Sequence, residues 1–366
     1  MDELEMKTEE VQQNEVVDTE VPLDKNVRLM SPGMMVIRRF FRSKLSIVGL
    51  IMIVGLFLFS FLGPALLADT TGDNYSDYTN PNKWGELEKD NGGKLDYATR
   101  EFTYVIDGVE YRVTQTTIAN ETYNTLAAPS DSHILGTDKD GYDVFVRLMY
   151  GGRISLIVSF LAVFLMTIFG VILGGIAGYF GGAVDNIIMR ICDILTCLPG
   201  VPILLIVGTA LDNPSWGIDS QYRIYLLMTF LTFISWPGIA RLVRGQILSL
   251  REQEYMVAAE AMGYSTPRKI FKHLVPNVMP QLIVQMSLGL GSMILYEATL
   301  SYLNLGVKAP YAAWGSMINV ITTDQAILEN NWYVWVPAGV CIVIAVLGFN
   351  FVGDGLRDAL DPKARR

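Results

Sequence analysis

Six apolar runs constrain this chain more than any other feature. They cover residues 45–67, 154–180, 187–211, 223–240, 281–304 and 333–353, each near the ~20 residues that let a helix cross ~30 Å of hydrocarbon. Of the 366 residues, 51% are hydrophobic and 18% charged, and the apolar ones are gathered rather than spread, so two soluble domains are excluded. The expectation is an all-α polytopic membrane protein with six transmembrane helices. The N-terminus is acidic and the first run begins near residue 45, which does not match a cleavable signal peptide. That run is expected to remain as a span.

Basic residues near the span ends give the orientation. Arg38, Arg39, Arg42 and Lys44 precede the first span, and Arg241, Arg244, Arg251, Arg268, Lys269 and Lys272 lie between the fourth and fifth. Arg357, Lys363, Arg365 and Arg366 follow the sixth. The opposite loops carry little base: Arg223 near 212–223 and Lys308 in 305–332. Both termini are therefore expected in the cytoplasm, and 68–150 outside. The expected organisation starts with a disordered acidic cytoplasmic tail (1–27) and an interfacial helix (28–44). The first span (45–67) and an extracytoplasmic insert (68–150) follow. A membrane core (151–353) carries a cytoplasmic loop (241–280) and ends in a cytoplasmic tail (354–366). In the interfacial segment, Ser31 suits an N-cap and Pro32 the first helical position.

Within the spans, Gly170, Gly174, Gly178 and Gly182 recur every four residues, which puts them on one helical face. Such a face predicts a close helix contact, in this chain or with a partner. Pro199 and Pro202 break or kink the third span; they line a pathway or serve only as kinks. Glu297 lies deep in the fifth span, where a carboxylate must be paired, protonated or facing water. A proton relay needs several such groups, so a hydrogen-bonding role is favoured over one in the pathway. Outside the membrane, EFTYVIDGVEYRV (101–113) places two β-prone runs around Asp107-Gly108, a two-residue hairpin signal.

Catalytic and metal chemistry is not expected. The fragment NGGKLD (91–96) lacks the first glycine and the hydroxyl residue of a phosphate loop. TDKDGYD (137–143) carries Asp138, Asp140 and Gly141 like a calcium loop, but the twelfth position is Met149 instead of an acid. Cys192, Cys197 and Cys341 fall inside apolar runs, so no disulfide framework or metal spacing arises. The net charge of −9, with no basic patch interleaved with aromatics, argues against nucleic acid as a partner.

The loop 241–280 is too polar to span and too patterned to be casual. Glu254, Tyr255, Met256, Val257, Ala258, Ala259, Glu260, Ala261 and Met262 suit a short helix, and Gly263 suits its stop before Tyr264 and Ser265. Ala258, Ala259 and Ala261 are expected to keep its surface small, so that another protein can approach. Pro267 is expected to start a second short helix, and Pro276 and Pro280 to lead back into the membrane.

AAEAMGYSTPRKIFKHLVPN (258–277) resembles the "EAA" loop of binding-protein-dependent ABC importer permeases, with Ala258, Ala259, Gly263, Leu274 and Pro276 at its matching positions. HILGTDKDGYDVFVRLMYGGRISL (133–156), LREQEYMVAAEAMG (250–263) and ATLSYLNLGV (298–307) are similar to the C-type subunit of the oligopeptide, dipeptide and nickel branch. Two positions depart from the pattern: Val257 replaces the glutamate that names the loop, with Glu260 one turn on, and Tyr142 stands where arginine is common. The resemblance implies the type I permease fold, with the hairpin-bearing insert as an addition. It implies a multi-pass protein of the bacterial cytoplasmic membrane, and partners comprising a second homologous permease, two ATP-binding subunits, an extracytoplasmic substrate-binding protein and membrane lipid. Residues 254–265 would dock an ATPase; ATP and magnesium would bind the ATPases, with no cofactor on this chain. Oligopeptides lead as cargo over dipeptides and nickel. A secondary transporter would show several intramembrane acids or a repeat. A membrane-anchored receptor or scaffold would not need the patterned loop.

Overall fold

The computed structural model describes residues 32–66, 125–130, 133–213, 217–218, 220–308 and 311–361, and the backbone of 87–88, 97–106, 109–118 and 122–123. The acidic tail 1–27 and the greater part of 68–96 lie outside the described residues. Helix α1 (Pro32–Phe40) leads through Ser43, whose hydroxyl caps the next helix at Ser46 N, into α2 (Lys44–Leu66). Met34, Met35, Ile37 and Phe41 stand exposed around α1 beside Arg38, Arg39 and Arg42. A π-helical turn, Leu58–Leu62, interrupts α2; Arg153 donates to the carbonyls of Ser60 (2.7 Å) and Phe61 (2.8 Å) there.

Strands β1 (Leu87–Glu88) and β4 (Thr122–Tyr123) pair antiparallel outside the pair β2 (Tyr97–Ile106) and β3 (Val109–Ile118). Ile106 pairs with Val109, which leaves the two residues of the expected turn between them; residues 107 and 108 themselves lie outside the described residues.

The calcium-like run is an ordered turn. Asp138 accepts from the backbone N–H of Asp140 and Tyr142 and lies 3.2 Å from Arg147. Burial pushes its carboxyl above the usual range, against the pull of Arg147. Tyr142, the departure from the arginine pattern, is buried under the Arg147 guanidinium, 4.7 Å from its ring centre. Asp143 caps α3 (Val144–Phe180) through Val146 N and also meets His133 Nδ1 at 2.9 Å.

Gly181 and Gly182, both at positive φ, turn the chain from α3 into α4 (Gly182–Cys197). Helix α5 (Gly200–Leu211) follows at 78° to α4, so the third expected span is a bent pair, broken where the prolines were expected to break or kink it. Pro199, without a donor, sits at the bend. Then come α6 (Ser220–Ser235) and α7 (Pro237–Leu250), passing as one span over Tyr222–Leu250. Helix α8 (Glu254–Ala261) precedes α9 (Thr266–Tyr302), and α10 (Trp314–Thr323), α11 (Gln325–Asn330) and α12 (Trp332–Leu360) complete the chain. Five helices, α2, α3, α6–α7, α9 and α12, are long and apolar enough to cross a membrane, and the bent pair is a sixth candidate.

Two outcomes differ from the sequence expectation. Residues 266–280 do not form a separate short helix. Helix α9 runs from Thr266 through Pro276 and Pro280, with a π-helical turn at Lys269–Leu274 absorbing the change of pitch. The glycine face also ends one turn early. A Cβ at Gly170 would meet Ile239, at Gly174 the Ala240 backbone, and at Gly178 the Arg244 carbonyl, so these three seat α7 against α3 within the chain. Gly182 lies past the turn, with open space around it. A second small-residue seam, Gly49 against Gly348 and Ser46 against Gly355, brings α2 onto α12.

Glu297 is fully buried between helices. Its carboxylate accepts from Ser155 on α3 (2.9 Å) and Ser301 on α9 (2.8 Å), while the Ser155 hydroxyl accepts from Trp314 N (3.1 Å). The buried Trp314 indole donates to the Leu148 carbonyl at 2.9 Å. One acid thereby ties α3, α9 and α10 together, as the hydrogen-bonding reading expects. Glu297→Ala removes both acceptors, and a loss of about 1–3 kcal/mol is expected from the stranded hydroxyls. Thermal unfolding in detergent measures it; an unchanged midpoint would contradict the structural role.

Candidate functional site

The segment 251–280 forms a compact knuckle at one end of the bundle. Its base is tied down by charge. Arg251 donates to the Gly178 (3.2 Å) and Tyr179 (3.4 Å) carbonyls at the C-terminus of α3. Arg244 holds Asp185 of α4 bidentately. Lys269, buried, lies 5.5 Å from the Tyr179 ring centre and 3.7 Å from Glu260.

Helix α8 sits on that base by one face. Met256 is 4% exposed and Ala259 1%, and Met256 joins Ile239, Val243, Ile247, Ile270, Leu274, Val278 and Leu282 in one apolar cluster of α7, α8 and α9. Met256 and Ala259 therefore position the helix. Ala259 does not belong to its small outer surface, as the sequence had suggested.

The stop is a Schellman motif. Gly263 N donates to Glu260 O (2.9 Å) and Tyr264 N to Ala259 O (3.1 Å), with Gly263 at φ +71°. Tyr264 then stacks on His273 at 5.6 Å, and the Arg268 guanidinium covers its ring at 4.8 Å. Tyr255 receives a long contact from Asn277 Nδ2 (3.4 Å). The local sequence thus fixes both the length and the tilt of α8: apolar side chains below, a left-handed glycine at the end, a stacked ring beyond it.

The outer face carries Glu254, Tyr255, Val257, Ala258, Glu260, Ala261, Met262, Gly263 and Ser265, all exposed. Val257 is 63% and Met262 62% exposed. Phe271 of α9, 62% exposed, extends this apolar surface. Sequence reasoning missed Phe271, although its neighbours Ile270 and Leu274 face the core and leave position 271 to point away. Exposed apolar side chains around a rigid helix form the kind of patch that marks a protein contact.

The remaining candidates do not converge on this site. Pro199 and Pro202 are exposed at the α4–α5 bend, and a Cβ on the intervening Gly200 would lie 3.3 Å from the Tyr296 hydroxyl of α9. Glu297 is enclosed by Ser155 and Ser301. At the far end, buried Arg223 of α6 binds Asp212 after α5 and the carbonyls of Asn304 (3.1 Å) and Gly306 (2.8 Å), while Lys308 reaches Asp212 at 2.8 Å. Among the described residues, no group of three or more His, Cys, Asp or Glu side chains could hold a metal ion.

Residues 170–366 match the family described as binding-protein-dependent transport system inner membrane component, and 31–83 match the N-terminal TM domain of oligopeptide transport permease C. The chain is 42% identical over 238 residues to the oligopeptide transport system permease protein OppC of Bacillus subtilis (strain 168), covering 65% of this chain and 74% of that protein. It is 35% identical over 348 residues, 94% of each chain, to the dipeptide transport system permease protein DppC of Alkalihalophilus pseudofirmus. With OppC of Haemophilus influenzae it shares 37% over 233 residues, 64% of this chain and 71% of the relative.

Proposed function

Because the chain belongs to the binding-protein-dependent transport system inner membrane components, as a C-type permease subunit of the oligopeptide–dipeptide branch, we propose that it couples ATP hydrolysis by partner ATPases to oligopeptide import across the bacterial cytoplasmic membrane. The observation that carries this reading is α8. It is a short helix whose inner face is locked into α7 and α9 and whose outer face is exposed and apolar. A cleft in an ATPase subunit seats that outer face. ATP binding closes the ATPase pair and displaces α8, and the packed Met256 and Ala259 pass the displacement to the spans. The pathway then changes between inward-facing and outward-facing states.

The α8 end is the cytoplasmic one. Basic residues gather there: Arg39 of α1 donates to the Asp361 carbonyl after α12, and Arg357, Arg251 and Arg268 lie on the elements of the same end. Both termini then face the cytoplasm, and β1–β4 lie outside. A second homologous permease completes the pathway, and a substrate-binding protein delivers cargo to the outer face. The relatives named as dipeptide permeases support dipeptides as a second cargo reading.

Uptake of labelled peptides of graded length tests the proposal. It needs proteoliposomes holding this chain with its second permease and ATPases, with and without the binding protein. The expected result is accumulation that requires both ATP and the binding protein and favours peptides longer than two residues. Uptake that is indifferent to ATP, or binding without uptake, would move the chain to the secondary-transporter or the receptor class.

A further inference from the structure

A cavity of about 800 Å³ opens at the α8 end between α7, α9 and α12, lined by Gln246, Asn277, Gln281, Gln285, Arg357 and Asp361 among apolar neighbours. The chemistry of its lining is unusual for helices this apolar. Gln281 and Gln285 lie one turn apart on α9 and are exposed, and Gln246 faces them from α7, half-buried. Among the described residues, none of the three glutamines makes a side-chain hydrogen bond, so their carboxamides hold no helix in place. A carboxamide both donates and accepts, which matches a peptide N–H and C=O whatever the side chain beside them. Arg357 adds a guanidinium, suited to a carboxylate. The volume lies in the range of small-ligand sites.

We propose that this cavity is an exit site for the transported peptide. Gln246, Gln281 and Gln285 bind its backbone and Arg357 its terminal carboxylate, before release from the inward-facing state. The inference rests on the importer reading above. It assigns the glutamines a sequence-tolerant role, as a carrier of peptides with varied side chains requires. Asn277 stands apart from that role, because its amide donates to the His273 carbonyl at 2.7 Å.

The test uses the whole complex in proteoliposomes with the ATPases outward, without nucleotide. The native cysteines Cys192, Cys197 and Cys341 are replaced by alanine, and Gln285→Cys or, separately, Gln246→Cys is introduced. Millimolar pentaalanine is expected to slow alkylation of either cysteine by N-ethylmaleimide several-fold. It should leave a Val343→Cys control on the exposed side of α12 unchanged. Adding Arg357→Gln should abolish protection by free-acid pentaalanine while leaving any protection by the C-terminally amidated peptide unaltered. Alkylation indifferent to peptide at both positions would overturn the site. So would protection conferred by phosphatidylglycerol in place of peptide, or equal effects of Arg357→Gln on both peptides. Uptake measured in parallel on the complex with its glutamines intact separates the two failures. Normal uptake without protection removes the exit site and spares the importer reading, whereas absent uptake removes both.

Discussion

A Gly174→Leu protein is expected not to accumulate in the membrane, or to unfold far below the parent, whereas Gly175→Ala at the next position behaves like the parent. A Cβ at Gly174 would stand 2.4 Å from the Ala240 carbonyl oxygen and 2.9 Å from its Cα. Those are backbone atoms of α7, so no side-chain rotation relieves the clash, and α3 and α7 must separate. Apart from one another they lose the packing of Ile239, Val243 and Ile247, the floor on which α8 rests. Membrane helices are held by such close packing rather than by exclusion of water, and overpacking a tight site costs about 1–3 kcal/mol or more. The same Cβ at Gly175 would meet Ile247 Cδ1 at 3.7 Å, an ordinary contact. Membrane abundance and thermal unfolding in detergent read the difference between the two variants. Equal behaviour would mean that the helix contact described here does not hold the protein together.

Gly263→Val is expected to leave membrane insertion intact and to lower peptide uptake by about tenfold or more, with Gly263→Asn retaining most of it. The reason is conformational. Nothing lies within 4 Å of a Cβ placed at Gly263, so valine has room, but φ +71° is a left-handed conformation that valine adopts only at a cost of ~1–2 kcal/mol. Relieving that strain undoes the bonds to Glu260 O and Ala259 O, and with them the end of α8 and the position of Tyr264. Asparagine tolerates the left-handed region and keeps the motif. A variant with normal abundance and normal uptake would show that the terminus of α8 is not part of force transfer. Equal loss in the valine and asparagine variants would place the effect in contact at the outer surface instead.

The parts of this molecule written in local sequence were legible. Apolar runs located the five helices long and apolar enough to cross a membrane and the bent pair that is a sixth candidate, and Glu254–Met262 followed by Gly263 located α8 and its stop, because helix propensity and a left-handed glycine act over a few residues. Three of the four spaced glycines lie on the tight face expected of them. The fourth, Gly182, fell away because the chain turns at Gly181, and periodicity counts through a turn that it cannot sense. What depends on distant partners was not legible. The Gly49–Gly348 seam joins segments from opposite ends of the chain, neither with a repeat of its own. Ser155 and Ser301 gave no sign that they would share Glu297. The inward turn of Ala259 and outward turn of Phe271 were fixed by which faces α7 and α9 offered. Pro276 and Pro280 were expected to lead back into the membrane after a separate short helix, yet the π-helical turn before them joins that segment to the span as one helix.

The most direct measurement is a thiol cross-link from Ala258→Cys on the exposed face of α8, made in the assembled complex. Seating of α8 in an ATPase predicts one product joining this chain to an ATP-hydrolysing subunit, with uptake blocked until the link is reduced. Products with the second permease alone, and none with either ATPase, would contradict it.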